Sequence, residues 1–432
     1  MFTRRSLLLP AAALLIGGGC RPVQPDPSRV PVGHVGASAL RADIAWLAAD
    51  AREGRGTGTP GFDSAAAFVA RRYATLGIAP APGLNGYMQP FTARAITARG
   101  QPPASLPTRN VVAVIPGRDA ALAGEYVVLG AHLDHLGRSP SSALDPDAGN
   151  AIRNGADDNA SGTVAVLELA RRLRQNPPRR SIVLAHFSGE EFGLLGSQYF
   201  VDHSPVPLTT IQAMINFDMV GRLKNDRLIV YGVGTAAELP ALLDSVNAGS
   251  GIVMSKVPDG IGPSDHASFS TKDVPVLHFF TDLHDDYHRA TDDVVRINAE
   301  GMLRVVGVAE KLARALADRP GKLAVVRAVA GARTGTAGSR RSSGIYLGSV
   351  PDMGAVDVVG MKLSGVRAGS PADKGGLRGG DVIVELGGKS VKDIYEYTDA
   401  LNGFKPDDEV QVVVIRDGQR LTLKVTLGRR GQ

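Results

Sequence analysis

The chain has 432 residues, of which 44% are hydrophobic and 21% charged, so it is long enough for two domains and has the composition of a folded globular protein. Its formal net charge of +5 is small for this length, and lysine and arginine form no stripe interleaved with aromatic residues. The sequence therefore predicts no nucleic-acid partner.

The first twenty residues predict an export signal rather than part of the fold. Arg4 and Arg5 precede an apolar stretch that is too short to span a bilayer, and "TRRSLLL" is similar to a twin-arginine signal. Cys20 is the only cysteine, and it stands where a bacterial lipoprotein leader places its lipid-accepting cysteine, although Gly17 replaces the usual leucine. We expect export to the periplasm or cell envelope and a lipid anchor on Cys20, with an ordinary cleaved signal as the alternative.

The rest of the chain divides by composition into four segments. Residues 21–37 are rich in proline and predict a tether, and residues 38–318 alternate apolar runs with amphipathic stretches. Residues 319–343 predict a linker, in which residues 330–343 are small, polar and basic. Residues 344–429 combine short strands, many glycines and one helical pattern. Beyond the leader, no segment is long and apolar enough to cross a membrane.

Apolar runs predict the strands of the 38–318 segment. In chain order they are "NVVAVIPG", "EYVVLGAH", "SIVLAHFS", "AMINFDMV", "RLIVYGVG" and "VPVLHFF". Amphipathic stretches lie between them, such as Ser161–Gln175, where Val166, Leu169 and Leu173 recur at helical spacing. Continuous apolar strands separated by helices are typical of the α/β class, with a mostly parallel mixed sheet covered by helices on both faces.

Ionisable residues follow these runs where the strands end, which is the edge at which open α/β sheets bind their ligands. The residues are His132 and Asp134 in "GAHLDHLG", Asp157 and Asp158 in "GADDNASG", Glu190 and Glu191 in "SGEEFGLLGS", Asp218 in "NFDMVGR", and His288 in "DYHRATDD". We therefore expect these side chains to converge in one crevice.

Such a cluster needs compensating positive charge, because each unpaired charge in a partly desolvated crevice would cost several kcal/mol. Histidine and carboxylate ligands without cysteine suit Zn²⁺, with Mn²⁺ and Co²⁺ as alternatives. Two ions that share a carboxylate lower the pKa of a bridging water towards ~7. Since Glu190 and Glu191 are neighbours whose side chains diverge, one can bind a metal while the other acts on that water as general base.

The five motifs appear in the order and near the spacing of the co-catalytic di-zinc exopeptidases of clan MH, which the chain resembles over about residues 38–315. This family includes bacterial leucyl aminopeptidases, glutamate carboxypeptidases and, more distantly, glutaminyl cyclases. The resemblance implies two zinc ions per chain, with His132 and Asp218 on one, Glu191 and His288 on the other, and Asp158 bridging them. It makes Glu190 the general base.

The resemblance also implies supporting roles. Asp134 would fix the tautomer of His132, Asp292 would do the same for His288, and Tyr287 would stabilise the oxyanion. Packing is the alternative role for Tyr287. Arg222 could contact a carbonyl or carboxylate of the substrate.

Some assignments have alternatives among neighbouring residues. Asp157 could bridge the metals in place of Asp158, and otherwise we expect it to cap the helix at Ser161. His266 in "GPSDHASF" is a further candidate ligand. The other histidines are expected to be structural or exposed to solvent: His135, His186, His203, His278 and His284.

The C-terminal segment resembles a PDZ domain of the type found in bacterial envelope proteases. The resemblance lies in "GIYLGSVPD", "GVRAGSPADKGGLRGGDVIVELGGKSV" and "EVQVVVIRDGQRLTLKVTL". Such domains add a peptide to a sheet edge and hold its terminal carboxylate, here at "YLGS". We expect capture of a peptide C-terminus, with packing or assembly as the alternative.

Together these features predict an exported zinc aminopeptidase that releases N-terminal residues from peptides. Carboxypeptidase or glutaminyl cyclase activity are the alternatives within the same family. A peptide-binding envelope protein without catalysis is the alternative from another class.

Overall fold

The computed structural model describes residues 36–95, 104–139, 143–260, 262, 264–326, 345–351, 358–366, 369–392, 394–401 and 403–429. The predicted signal of residues 1–20, including Cys20, and nearly all of the tether lie outside the described residues.

A nine-stranded sheet forms the centre of the larger domain, as far as the described residues show. Its strands are β1 (Ala79–Pro80), β2 (Met88–Ala95), β3 (Ala104–Ile115), β4 (Tyr126–His132), β5 (Ser181–Phe187), β6 (Ile211–Phe217), β7 (Arg227–Tyr231), β8 (Val253–Val257) and β9 (Val276–Phe280). They follow the order β1-β3-β5-β4-β6-β9-β7-β8, and β2 also pairs with β3. Each of the six predicted apolar runs contributes to one of these strands.

The predicted α/β class is confirmed, and the sheet is mixed. Its central strands β5, β4, β6 and β9 are parallel, whereas β3 runs antiparallel to β5 and β7 antiparallel to β9. Strand β4 lies between β5 and β6, so the chain leaves β4 towards one side of the sheet and later returns on the other. The carboxyl ends of these strands therefore border the crevice where such sheets bind ligands.

Helices cover both faces of the sheet, because alternate strand residues point to opposite sides. The helices are α1 (Ala37–Leu47), α2 (Pro60–Thr75), α3 (Gly162–Gln175), α4 (Leu195–Asp202), α5 (Leu239–Asn247), α6 (His266–Ser270) and α7 (Ala299–Asp318). Val111 and Ala113 of β3 face the core under α1, α2, α3, α5 and α7. Val112 and Val114 face a second core under α4 and α6.

The segment after α7 remains in contact with the larger domain. Leu323 lies in the main core, and the N–H of Ala324 donates to the carboxylate of Glu238. Residues 319–326, which the sequence analysis assigned to the linker, are thus partly packed.

The C-terminal domain contains eight short strands and two helices among its described residues. They are β10 (Ile345–Tyr346), β11 (Ser349–Pro351), β12 (Met361–Val366), α8 (Pro371–Lys374), β13 (Val382–Leu386), β14 (Lys389–Ser390), α9 (Ile394–Leu401), β15 (Glu409–Arg416), β16 (Gln419–Thr426) and β17 (Gly428–Arg429). Asp417 and Gly418 both have positive φ in the two-residue turn of the β15–β16 hairpin, as a type I′ turn requires. This small, β-rich domain has its own apolar core.

Within the described part of the chain, no helix combines the length and the apolarity that crossing a membrane requires.

Candidate metal centre

The structure brings the five predicted ligands together at the carboxyl ends of the central strands. They are His132 at the end of β4, Asp158 between β4 and α3, Glu191 after β5, Asp218 after β6, and His288 in the loop after β9. The strands are buried because their sequences are mostly apolar, and the predicted ligands lie at or beyond the ends of those sequences.

Asp158 lies between the two predicted metal positions. Its Oδ1 is 3.3 Å from Nε2 of His132, and its Oδ2 is 3.2 Å from Nε2 of His288. The peptide bond between Asp158 and Asn159 is cis. Because the two oxygens of one carboxylate face two different imidazoles, Asp158 is placed to bridge two cations.

The remaining pairs repeat this spacing. Nε2 of His132 is 3.3 Å from Oδ1 of Asp218, and Nε2 of His288 is 3.2 Å from Oε2 of Glu191. Two atoms bound at about 2.0 Å to one tetrahedral ion lie about 3.3 Å apart. Oδ2 of Asp158 is moreover buried without a hydrogen-bond partner. The residues present therefore fit two zinc ions.

Glu190 belongs to the His132 side of the site, since its carboxylate groups with His132 and Asp218 within 4.8 Å. Burial raises the pKa of Glu190 well above its ordinary value, and the carboxylates of Glu191 and Asp218 raise it further. The ionised form of this carboxyl group therefore depends on nearby positive charge.

The histidines and carboxylates of the site perturb one another strongly. Burial opposes the charged form of His132, but the carboxylates of Asp218, Glu190 and Asp158 outweigh it and hold its pKa well above the ordinary value. Burial likewise opposes the carboxylate of Glu191, but His288 and other donors lower its pKa to about 2. The cluster thus concentrates charges that only close counter-charges stabilise.

Asp134 lies behind His132, and its main-chain oxygen makes the closer contact. Nδ1 of His132 is 3.0 Å from the carbonyl oxygen of Asp134 and 3.9 Å from its Oδ1. The carboxylate accepts the hydroxyl of Thr57 at 2.7 Å and the N–H of Glu190 at 3.3 Å. Asp134 therefore holds the imidazole through its carbonyl oxygen and the main chain of Glu190 through its carboxylate.

Tyr287 lies beside His288, one of the predicted ligands. Its ring stacks on His288 with centroids 3.8 Å apart and packs against the apolar cluster of Met219 and Phe280. Burial and the nearby carboxylates raise the pKa of Tyr287 well above its ordinary value. The phenol therefore stays protonated as a hydrogen-bond donor.

Two acidic residues have partners other than those expected. Oδ1 of Asp157 accepts the N–H of Gly221 at 2.7 Å, and the N–H of Gly162 at the start of α3 is capped by Asn159 at 2.8 Å. Asp157 therefore accepts a hydrogen bond from Gly221 rather than from the start of α3. Its carboxylate does not face the imidazoles of both His132 and His288, as a bridging ligand would. Oδ2 of Asp292 accepts the N–H groups of Asp157 and Asp158, at 3.0 and 3.1 Å, and so holds the bridging loop.

Arg222 is engaged by acidic side chains. Its Nη1 donates to Asp286 at 2.6 Å and its Nη2 to Asp292 at 2.6 Å. Both terminal nitrogens of the guanidinium already bind carboxylates at the site. The structure therefore gives no reason to assign Arg222 to a substrate carboxylate.

The sequence analysis assigned no role at the site to three residues that the structure places there. Nδ1 of His135, expected to be structural or exposed, is buried and 2.8 Å from Oε1 of Glu191. Ser264 donates to Oδ2 of Asp218 at 2.8 Å, and the buried Arg55 binds main-chain carbonyls of both the His132 and the Asp158 loops. Only the adjacency of His135 to Asp134 could have suggested its role.

Among the described residues, two groups have possible ligand atoms that all lie within 4.8 Å of one another: His132, Glu190 and Asp218, and His135, Asp158 and Glu191. The histidines that remain belong to neither group. His266, the alternative ligand, is buried and stacked on His278 with centroids 4.5 Å apart, and burial lowers its pKa to about 3. His186 bonds to Tyr73, His203 stacks on Tyr199, and His284 lies 3.2 Å from Asp157.

Comparisons with known families agree with this arrangement. The profile of Peptidase family M28 matches residues 110–313, which contain all five predicted ligands, and the profile of a PDZ domain matches residues 343–427.

Two sequence relatives bear the names of enzymes. Leucine aminopeptidase 1 of Arthroderma gypseum is 32% identical over 232 residues, or 48% of this chain and 58% of the relative. Leupeptin-inactivating enzyme 1 of Streptomyces exfoliatus is 28% identical over 260 residues, or 60% of this chain and 51% of the relative. The chain thus spans little more than half the length of these relatives.

Among solved structures, a Zn-dependent exopeptidase from Parabacteroides distasonis superposes with a TM-score of 0.52 at 20% identity. The match covers 67% of this chain and 100% of the other. It shows the shared fold.

Proposed function

The chain contains a Peptidase family M28 domain, matched over residues 110–313, and a PDZ domain, and from this premise we propose that it is a two-zinc aminopeptidase that releases N-terminal residues from peptides. The observation that supports this most directly is the position of Asp158. Its two oxygens lie 3.2–3.3 Å from two imidazoles, each of which has a further carboxylate at tetrahedral spacing. His132, Asp158 and Asp218 would hold one zinc ion, and Asp158, Glu191 and His288 the other.

The chain's own residues supply proton transfer and orientation. When bound, two divalent cations supply Lewis-acid activation of water and of the scissile carbonyl. Glu190 takes a proton from the attacking water as the C–O bond forms, and gives it to the leaving nitrogen as the C–N bond breaks. Tyr287 donates its O–H to the carbonyl oxygen as negative charge develops there. Asp134 keeps the loop of Glu190 beside His132.

Aminopeptidase activity is favoured over the alternatives of the same family. A carboxypeptidase needs a cation for the free carboxylate of its substrate, and Arg222 is already bound by two aspartates. A cyclase that works with one zinc ion would not need a carboxylate shared between two imidazoles. The complete ligand set also argues against a protein without catalysis.

The test compares dipeptides with free and with blocked N-termini on the wild type, Glu190→Gln and Glu409→Gln. Glu409 carries the matched control because it is exposed in the C-terminal domain. We expect N-blocking to abolish turnover. We expect Glu190→Gln to keep two zinc ions by elemental analysis while kcat falls by about 10²–10⁴-fold. Turnover of blocked dipeptides would exclude the aminopeptidase, and full activity of Glu190→Gln would exclude Glu190 as the base.

For the PDZ domain we propose capture of peptide C-termini. Among the described residues, β11 lies at one edge of its sheet, and Gly348 directly before it has φ +85°. An edge strand preceded by such a loop can accept a peptide strand and its terminal carboxylate. Fluorescein-labelled peptides with a free C-terminus should bind full-length Glu190→Gln in anisotropy titrations. Equal binding of C-terminally amidated peptides would contradict this role.

We further propose that the protein is exported to the cell envelope and anchored through a lipid on Cys20. The leader composition and the position of Cys20 support this. Fractionation of cells that express the wild type or Cys20→Ala provides the test. The anchor predicts that the wild type sediments with membranes and that the variant does not.

A further inference from the structure

His135 lies against Glu191 and Asp158, which with His288 form the second predicted metal position. His132, in the same sequence motif, belongs to the first position, with Asp158 and Asp218. Its Nδ1 is 2.8 Å from Oε1 of Glu191 and 3.7 Å from Oδ2 of Asp158. Its ring is buried and packs edge-on against His288, with centroids 5.8 Å apart. The question is whether His135 binds the cation or a ligand of the cation.

The distances separate these two roles. The ligand pairs around His132 and His288 lie 3.2–3.3 Å apart, as expected for atoms on one tetrahedral ion. The 2.8 Å between Nδ1 of His135 and Oε1 of Glu191 is instead a charge-assisted hydrogen-bond distance. Glu191 also directs its other oxygen, Oε2, towards His288. Its two oxygens thus have different partners.

The surroundings fix the ring of His135 in this position. Gly155 lies so close that a Cβ there would be 2.5 Å from the imidazole, and the main chain of His135 bonds to Arg55. Nε2 is buried without a hydrogen-bond partner among the described residues. The hydrogen bond to Glu191 is therefore the polar contact that the ring is placed to make.

We propose that His135 is a positioning residue, whose Nδ1–H donates to Oε1 of Glu191 and so holds Oε2 towards the cation shared with Asp158 and His288. A carboxylate can only accept, so the proton resides on Nδ1. Without this bond Glu191 can rotate, and the second cation loses one of its ligands. The inference rests on the proposed two-metal site.

Substitutions at His135 test this through metal affinity rather than through activity alone. The amide nitrogen of His135→Asn lies near the place of Nδ1, that of His135→Gln lies near Nε2, and His135→Ala removes both. The exposed His203 provides the matched control, His203→Ala. Zinc titration calorimetry on the metal-free proteins gives both affinities, and thermal unfolding of the same samples checks the fold.

We expect His135→Ala to bind one of its two zinc ions about 10–100-fold less tightly than the wild type, with the affinity for the other unchanged. His135→Asn should restore most of this affinity, whereas His135→Gln should resemble His135→Ala. If His135→Ala does not fold, the comparison of Asn with Gln carries the test alone.

Two results would overturn the proposal. One is wild-type affinity for both zinc ions in His135→Ala. The other is a His135→Asn variant as weak as His135→Gln, which would indicate direct ligation by the imidazole. Failure of the proposed function gives a different result, because the wild type itself would then bind fewer than two zinc ions.

Discussion

Arg55 provides the sharpest test of how the loops of the site are held in place. Its side chain is fully buried and donates to four main-chain carbonyls, those of Leu133 at 2.9 Å, Leu47 at 3.0 Å, Asn154 at 2.7 Å and Gly155 at 2.9 Å. Burial lowers its pKa to about 10 against the pull of nearby carboxylates, so the guanidinium is charged at neutral pH. One cation thus ties the loop of the first metal ligand to the loop of the bridging aspartate.

The change we consider is Arg55→Met, which keeps an unbranched side chain and removes all four hydrogen bonds, although the carbonyl of Gly155 still accepts the N–H of Ala160. Each buried carbonyl left without a partner costs about 1–3 kcal/mol, although relaxation and water recover part of that cost. We therefore expect the free energy of unfolding of the M28 domain to fall by about 3–5 kcal/mol. At roughly 2 °C per kcal/mol for a domain of this size, the unfolding temperature falls by about 6–10 °C.

The assay is scanning calorimetry of the metal-free, full-length protein, in which the transition that zinc shifts upward belongs to the M28 domain. Arg138→Met is the matched control, because the Arg138 side chain is 50% exposed and lies near the same loops. It should change the unfolding free energy by less than about 0.5 kcal/mol. If the two variants unfold within 1 °C of each other, the reasoning about the buried carbonyls is wrong.

Two further predictions concern the bridging loop and the C-terminal domain. Gly155→Ala would place a Cβ 2.0 Å from the carbonyl oxygen of Asp158, so zinc stoichiometry and dipeptide turnover should both fall. Gly149→Ala, at a similar φ but with open space around it, should cost only the backbone strain of about 1–2 kcal/mol in urea unfolding; equal effects of the two would contradict this. In the PDZ domain, burial raises the pKa of Asp381, but hydrogen bonds from Arg416 outweigh this and lower it. The stability that these hydrogen bonds contribute is therefore present above the unfolded pKa of about 4 and is lost as pH falls through the lowered pKa. Asp381→Asn should therefore speed hydrogen exchange in β13 and β15 by roughly 30-fold at pH 7, which is equivalent to about 2 kcal/mol. An equal change in exchange below the lowered pKa would refute the pairing of Asp381 with Arg416.

The central strands could be predicted because their environment leaves one pattern available. Every residue of β5 and β6 is buried, so apolar residues predominate at those positions, and the buried His186 and Asn216 have hydrogen-bond partners in Tyr73 and Ser264. Strand β2 is an edge strand with alternating exposure and Pro90 in its interior. It therefore lacks the continuous apolar run from which the central strands were predicted. Its pairing with β3 depends on contacts that are visible only in the folded chain.

The site divides in the same way. Ligands such as Asp158 and Glu191 are recognisable because the chemistry of metal binding fixes their residue type and their place at strand ends. Arg55 acts through main-chain carbonyls, which leave no trace in the sequence of the residues that accept its hydrogen bonds. Asp292 was assigned to the nearest predicted ligand along the chain, but folding brings it to the main chain of the bridging loop instead. Sequence proximity is a poor guide wherever a contact is made through the backbone.

The charges that face the site favour a pair of cations over a single one. Six carboxylates surround it, those of Asp134, Asp158, Glu190, Glu191, Asp218 and Asp265. Metal-binding imidazoles are neutral, and Arg55 behind the loops offsets one negative charge. Two divalent ions would offset more of this negative charge than one ion would. The acidity of the crevice and the position of Asp158 between two imidazoles therefore both favour a pair of ions.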